Sequence, residues 1–238
     1  MEVHHHSHHG KKKWTGYLWE FLMLFLAVFC GFLAEYQLEH VIEHNKEKEY
    51  MRSMVEDLAQ DTMQINKANA TILNQDKGLN LLLTTLEAPV SKNKNDLQKI
   101  YELHYANMGA EAALFSQRTI SQLKNAGGLR LIRHKNVADS ITLYDTKLQH
   151  MAAIFKSYDE STTDMSKEGY AIFDNQYFRH NYAGESISLL TYDIAVLKRY
   201  SNSVFTVQII EQYYSHFLLG QKKLAIALLD LIKREYHL

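Results

Sequence analysis

The sequence predicts an all-α protein: an N-terminal transmembrane helix that continues into a multi-helix bundle. Three observations carry this. Between Trp14 and Leu38 the chain reads WTGYLWEFLMLFLAVFCGFLAEYQL, with no charge in the 14 residues from Phe21 to Ala34. Beyond it, apolar residues recur at helical spacing through most of the chain. Only 1 proline and 10 glycines punctuate 238 residues, too few for the turns of a sandwich or barrel. No segment alternates cleanly as a strand, and the one β-branched patch, Val204–Ile210, is flanked by helical pattern. The expected divisions are a His/Lys-rich tail (1–13), an anchor (14–38) and a helical bundle (39–238).

As a helix, Phe21–Ala34 spans about 21 Å at 1.5 Å per residue, short of a hydrocarbon core of roughly 30 Å. Adding Tyr17–Trp19 and Tyr36–Leu38 closes the gap. Glu20 and Glu35 then lie near the two interfaces, and Trp14, Tyr17, Trp19 and Tyr36 take the anchoring positions of aromatic belts. A cleaved signal peptide would share Lys11–Lys13 and the apolar run, but no small-x-small site precedes the first polar residues. Phe29 stands before Cys30 where a lipoprotein cysteine needs a small residue. The remaining alternative is a buried core helix of a soluble fold. Lys11, Lys12 and Lys13 abut the N-terminal end, whereas the first cation on the other side is Lys46. The positive-inside rule therefore expects a single pass through the inner (cytoplasmic) membrane, with the N-terminus cytoplasmic and the bundle periplasmic.

The anchor carries one further pattern. Ala27 and Gly31 are four apart, a small-xxx-small pair that permits close helix approach. Glu20 and Ala34 fall on nearly the same face, so Glu20, Ala27, Gly31 and Ala34 form a candidate transmembrane contact, with incidental spacing as the plainer explanation.

Charge and composition exclude several function classes. With 26 Lys+Arg against 27 Asp+Glu the net charge is −1, which gives no basic field for nucleic acid. The expected partners are the lipid bilayer and either a second copy or another membrane protein. A single cysteine rules out a disulfide framework or a Cys-based zinc site within one chain. In the tail, His4, His5, His6, His8 and His9 offer imidazoles to a metal ion. A flexible tract lacks orienting groups behind its ligands, and a solvated tail or a purification tag explains it as well. No cofactor is expected.

From Glu39 the helical pattern continues without Gly or Pro. Met51, Leu58, Ile65, Ile72, Leu79 and Leu86 recur every seven residues, as in a bundle or coiled-coil stripe, until Ala88-Pro89. A second helix fits Asp96–Met108, with Leu97, Ile100, Tyr101 and His104 on one face. A third fits Ser116–Ala126, with Ser116 as N-cap and Gly127-Gly128 as stop. A fourth follows Val137, Ile141, Tyr144, Leu148, Met151, Phe155 and Tyr158. A fifth runs from Glu185 to about Tyr214 with Ile187, Leu190, Ile194, Leu197 and Val204 as its stripe. Phe217–Tyr236 is a sixth helix or a continuation past Gly220.

Few residues suggest chemistry. His40 and His44 have a spacing that can place two imidazoles on one metal, yet a polar helix face is the simpler reading. The one Glu-x-x-His pair, Glu2–His5, lies in the tail, so a di-iron bundle site is excluded. No phosphate-binding loop, dinucleotide fingerprint or nucleophile elbow is present. Asn69-Ala70-Thr71 matches a glycosylation sequon inside a helix stripe. The segment YAIFDNQYFRHNY (170–182) mixes aromatic and polar groups as small-molecule pockets do. Tyr177, Arg179, His180 and Tyr182 are its candidate ligand-binding residues, against the alternative of an aromatic cover for the end of the bundle.

Residues 119–144, TISQLKNAGGLRLIRHKNVADSITLY, together with FLAEYQLEH and KEKEYMRSMVEDLAQD, resemble a family of uncharacterised single-span membrane proteins of Gram-negative bacteria. That family joins a short N-terminal anchor to a helical domain with a Leu-x-x-x-Gly-x-Leu-x-Leu-Ile signature. Leu123, Gly127, Leu129, Leu131 and Ile132 occupy its positions here, and Gly128 leaves open which glycine ends the helix. The resemblance implies an anchored helical domain and carries over no catalytic residue.

The expected function is thus a single-pass, membrane-anchored interaction or sensory module, not an enzyme. The alternatives are a ligand-binding domain built on Tyr170–Tyr182, or a subunit of an ion-driven membrane complex using Glu20 as a titrating carboxylate.

Overall fold

The computed structural model describes residues 14–87, 90–125, 127–176 and 187–238. The helices run in the order α1 (Trp14–Glu87), α2 (Lys94–Ala106), α3 (Arg118–Asn125), α4 (Lys135–Gly169) and α5 (Ile194–Tyr236), with a 3-10 turn at Gly128–Leu131. Among the described residues there is no strand, so the fold is all-α. Two compact units divide at Glu49/Tyr50.

In the first unit α1 carries apolar side chains on every face, and they stay exposed: Phe21 is 65%, Leu24 69% and Phe32 66% accessible. The helix is long and apolar enough to cross a membrane, and none of its most apolar window is buried. Within this unit the segment packs into no core.

The second unit is a three-helix bundle of α1, α4 and α5 with two short helices packed on it. Hydrogen bonds give the directions. Tyr144 reaches Asp61 and Tyr158 reaches Gln75, both 83 residues apart, so α4 runs parallel to α1. Ser215 bonds Asn69 while Gln208 bonds Asp76, so α5 runs antiparallel to α1. The seven-residue stripe Met51, Leu58, Ile65, Ile72, Leu79 and Leu86 is buried in the core. It serves the bundle within one chain, and offers no exposed coiled-coil seam for self-association. The α4 stripe is buried from Val137 to Tyr158, with Phe155 only half-buried.

Of the two readings of Phe217–Tyr236, the structure has the continuation past Gly220, inside α5; a single helical glycine costs only about 1 kcal/mol. Two helix starts differ from the sequence expectation, each for a local reason. Helix α5 begins at Ile194, not Glu185. The Asp193 carboxylate caps it by accepting from the Ala195 and Val196 amides, and just upstream the Leu190 amide is bonded to the Ile172 carbonyl. Leu190 and Ile194, placed on the inward stripe by spacing, are exposed. Lastly, α3 begins at Arg118, and Ser116 does not cap it with its side chain; its backbone N–H donates to Asp61. Gly127, at φ +65°, is the glycine that turns the chain in the left-handed region, where a side chain is strained.

The sequence reading missed one element, an irregular strap after α2. Gln75 Nε2 donates to the Gly109 carbonyl, and Ser116 N donates to Asp61. Seven residues of strap therefore cover fourteen of α1, about 21 Å of helix, which demands nearly extended chain at roughly 3.3 Å per residue.

Candidate functional site

Three buried polar clusters interrupt the apolar core of the second unit. The first joins α1 to the start of α3. Asp57, 4% accessible, accepts from Arg118 Nη2 at 3.0 Å, Thr119 N at 3.1 Å and Thr119 Oγ1 at 2.6 Å. One turn on, Asp61 accepts from Ser116 N at 2.7 Å and from the Tyr144 hydroxyl at 2.6 Å. Burial raises the Asp61 pKa, against these two hydrogen bonds, and the Asp57 charge raises it further. The α3 N-terminus, with its unpaired amides, is thus capped by a carboxylate from another helix.

The second cluster lies at mid-bundle, beside the strap. Glu211 is fully buried. Tyr158 Oη sits 3.2 Å from Glu211 Oε1 and 3.3 Å from Gln75 Oε1. Burial pushes the Glu211 carboxyl up to about 8; Tyr158 lowers it, and Asp76 raises it. Tyr158 has one hydrogen for these two oxygen neighbours and donates to either; Gln75 in turn donates to the Gly109 carbonyl. The strap is pinned again where the Ala113 amide donates to the Tyr214 hydroxyl at 3.2 Å.

The third cluster centres on His104 of α2, also fully buried. Its ring stacks on Phe173 with centroids 4.0 Å apart, and its Nδ1 is 2.7 Å from the Tyr200 hydroxyl. Burial lowers the His104 pKa to about 4, so the ring is neutral at pH 7. Room for it exists because residue 169 is glycine: a β-carbon there would stand 2.5 Å from His104 Cε1. Gly169→Ala is expected to destabilise the bundle by about 1–3 kcal/mol through overpacking. Gly109→Ala, where a β-carbon meets open space, is the control. Paired thermal melts check this, and equal melting temperatures would refute it.

None of these clusters offers a catalytic constellation open to a substrate. Each carboxyl and imidazole is engaged in joining helices, and solvent does not reach Glu211 or His104. They tie α1, α2, α3, α4 and α5 to one another.

The residues singled out from sequence fare differently. Glu20, Ala27, Gly31 and Ala34 are exposed on one face of α1, and a β-carbon at Gly31 would meet nothing within 4 Å. Tyr177, Arg179, His180 and Tyr182 lie outside the described residues, as do His4, His5, His6, His8 and His9. The described start of the aromatic segment is built into the core: Ile172 and Phe173 are buried, and Phe173 packs on His104. His40 and His44 each approach a glutamate three residues on, Glu43 at 3.9 Å and Glu47 at 3.5 Å. Among the described residues no group of three or more His, Cys, Asp or Glu side chains is placed to hold a metal ion. Asn69 of the sequon accepts from the Ser215 hydroxyl at 2.6 Å, at the α1–α5 contact.

Sequence reasoning missed Asp57, Asp61 and Glu211. Asp57 and Asp61 are four apart on one helix face, a signal in the chain. Nothing local to Glu211 distinguishes it from a surface glutamate.

No family model, no curated protein and no solved structure matches the chain.

Proposed function

We propose that the chain is a single-pass membrane-anchored helical module whose bundle faces the periplasm and works through contacts or sensing, not through catalysis. One observation supports it above all: from Trp14 to Ile42 the large apolar side chains of α1 are exposed. Each of these side chains forgoes about 1.5–3 kcal/mol while it faces water, and lipid is the solvent that recovers it for a helix of this length. The lysines at 11–13, set against the first later cation at Lys46, favour a cytoplasmic N-terminus.

The contact reading draws on α5. Phe205, Ile209 and Tyr213 follow at four-residue intervals and are 54%, 39% and 63% accessible, so one helix face presents apolar surface outward. Tethering concentrates that face in a thin layer beside the bilayer, which raises its effective concentration toward membrane partners.

The test uses two single-cysteine chains in a Cys30→Ser background, Ser7→Cys and Lys198→Cys, expressed in a Gram-negative host. A thiol reagent that crosses the outer membrane but not the inner one is expected to label position 198 in whole cells. Position 7 should label only after the inner membrane is opened. Reversed labelling would overturn the orientation, and recovery of the chain from the soluble fraction would overturn the anchor.

A further inference from the structure

Gly220 has no structural reason to be glycine. It lies inside the 43-residue helix α5, and a β-carbon on it would meet nothing within 4 Å. Its φ is not in the left-handed region. An alanine there would favour the helix by about 1 kcal/mol. What the missing side chain does is leave space. A groove of about 250 Å³ between α4 and α5 is lined by Lys147, Met151, His216, Phe217, Gly220 and Leu224. On the other side of Gly220 a second hollow, of about 500 Å³, adds Lys222, Lys223, Leu219 and Ile226. Gly220 and His216 belong to both.

The charge around the groove is one-sided. Residues 146–158 of α4 contain Lys147, His150 and Lys156 and no Asp or Glu. Residues 212–229 of α5 contain His216, Lys222 and Lys223 and likewise no Asp or Glu. In a chain of net charge −1 this is a local excess of cations. Among the described residues no carboxylate pairs with Lys147, Lys222 or Lys223, although other lysines of the bundle, such as Lys124 with Asp145, are paired. Lysine stems can line an apolar wall while their ammonium groups stay at its rim. The edge of His150 meets the Phe217 ring at 5.4 Å between centroids, which adds an aromatic wall.

We propose that this groove, together with the hollow adjoining it across Gly220, binds a small amphipathic anion: an apolar or aromatic body seated against Met151, Phe217 and Leu224 over Gly220, and a carboxylate held between Lys147 of the groove and Lys222 and Lys223 of the hollow. The volume suits a single ring or a short chain, a little below the usual range of drug-sized ligand pockets. The site does not depend on which solvent surrounds the first helix, so it stands or falls separately from the membrane reading.

The test is fluorine NMR of 4-(4-fluorophenyl)butyrate added to the full-length chain in zwitterionic nanodiscs, with empty nanodiscs as reference. The wild type is expected to broaden and shift the ligand signal saturably. The matching amine, 4-(4-fluorophenyl)butylamine, should bind at least about fivefold more weakly. Gly220→Leu, which fills the groove without meeting another atom at its β-carbon, should weaken carboxylate binding roughly tenfold or more. Lys147→Gln and Lys223→Gln should each weaken it about threefold and reduce the preference over the amine. Gly220→Ala should raise the thermal midpoint, which shows that substitution here leaves the fold intact. Equal binding of acid and amine, unchanged binding by the Gly220→Leu chain, or a signal no different from that of empty nanodiscs would each overturn the proposal.

Discussion

Asp57→Ala is expected to cost the bundle about 2–4 kcal/mol, from two buried donors left without an acceptor. That is a large share of a total stability of roughly 5–15 kcal/mol. The reason lies in how many groups one carboxylate serves. Arg118, the Thr119 amide and the Thr119 hydroxyl all donate to it; half-exposed Arg118 keeps Glu56 and water, but both buried Thr119 donors lose their acceptor at once. A donor left buried without an acceptor costs its full desolvation, more than the bond itself contributed. Asp57→Asn keeps one acceptor oxygen for Thr119 but turns an amide toward Arg118, so an intermediate loss is expected. Urea titration of the three proteins, with amide hydrogen exchange read at α3, checks both magnitude and place. Alanine and wild-type chains of equal midpoint would show that α3 needs no cap from α1.

Glu211→Gln should act in the opposite direction, and its effect should depend on pH. The folded carboxyl titrates near 8 against an ordinary value of 4.5. Below 4.5 the acid is neutral in both the folded and unfolded chains. As pH rises above 4.5 the unfolded chain releases its proton and the folded one does not, so the wild type loses stability until the folded group itself ionises. By pH 7 the difference amounts to about 3 kcal/mol, at 1.36 kcal/mol per pH unit. Glutamine is neutral throughout, and its carbonyl oxygen can still accept from Tyr158. The variant should therefore match the wild type near pH 4 and exceed it increasingly toward pH 8. His104 works from the acid side. Its folded value of about 4 lies below the ordinary 6.5, so its contribution is whole above 6.5 and is lost as pH falls toward 4. Parallel stability–pH curves for wild type and Glu211→Gln would refute the assignment of a neutral buried acid.

Much of the fold was legible because helices write their inward faces into sequence locally. The stripe from Met51 to Leu86, the α2 face with His104, and the α4 stripe are each buried. The misread parts depend on contacts distant in sequence. Ser116 looked like a cap by composition, yet the start of α3 is served by Asp57 and Asp61, 55 to 62 residues upstream. The strap after α2 carries no periodicity, since its course is set by the Gln75, Tyr214 and Asp61 side chains it bonds. Spacing alone puts the start of α5 too early, because Ile187, Leu190 and Ile194 keep helical spacing. The Asp193 side chain nevertheless caps the helix there, and capping outranks spacing at a boundary. Glu211 was the least legible, because its burial exists only once α1, α4 and α5 have met.

Tryptophan is confined to the first of the two units. Both tryptophans of the chain, Trp14 and Trp19, sit in the apolar stretch of α1 and are 81% and 66% accessible. The fully buried tyrosines Tyr101, Tyr144, Tyr158, Tyr200 and Tyr214 all belong to the bundle. Indole fluorescence of the unmodified protein therefore reports the surroundings of the first helix alone. The near-ultraviolet dichroism of the phenols follows the packing of the rest. Two optical signals thus resolve a change around the first helix from core melting in one cuvette, with no label attached.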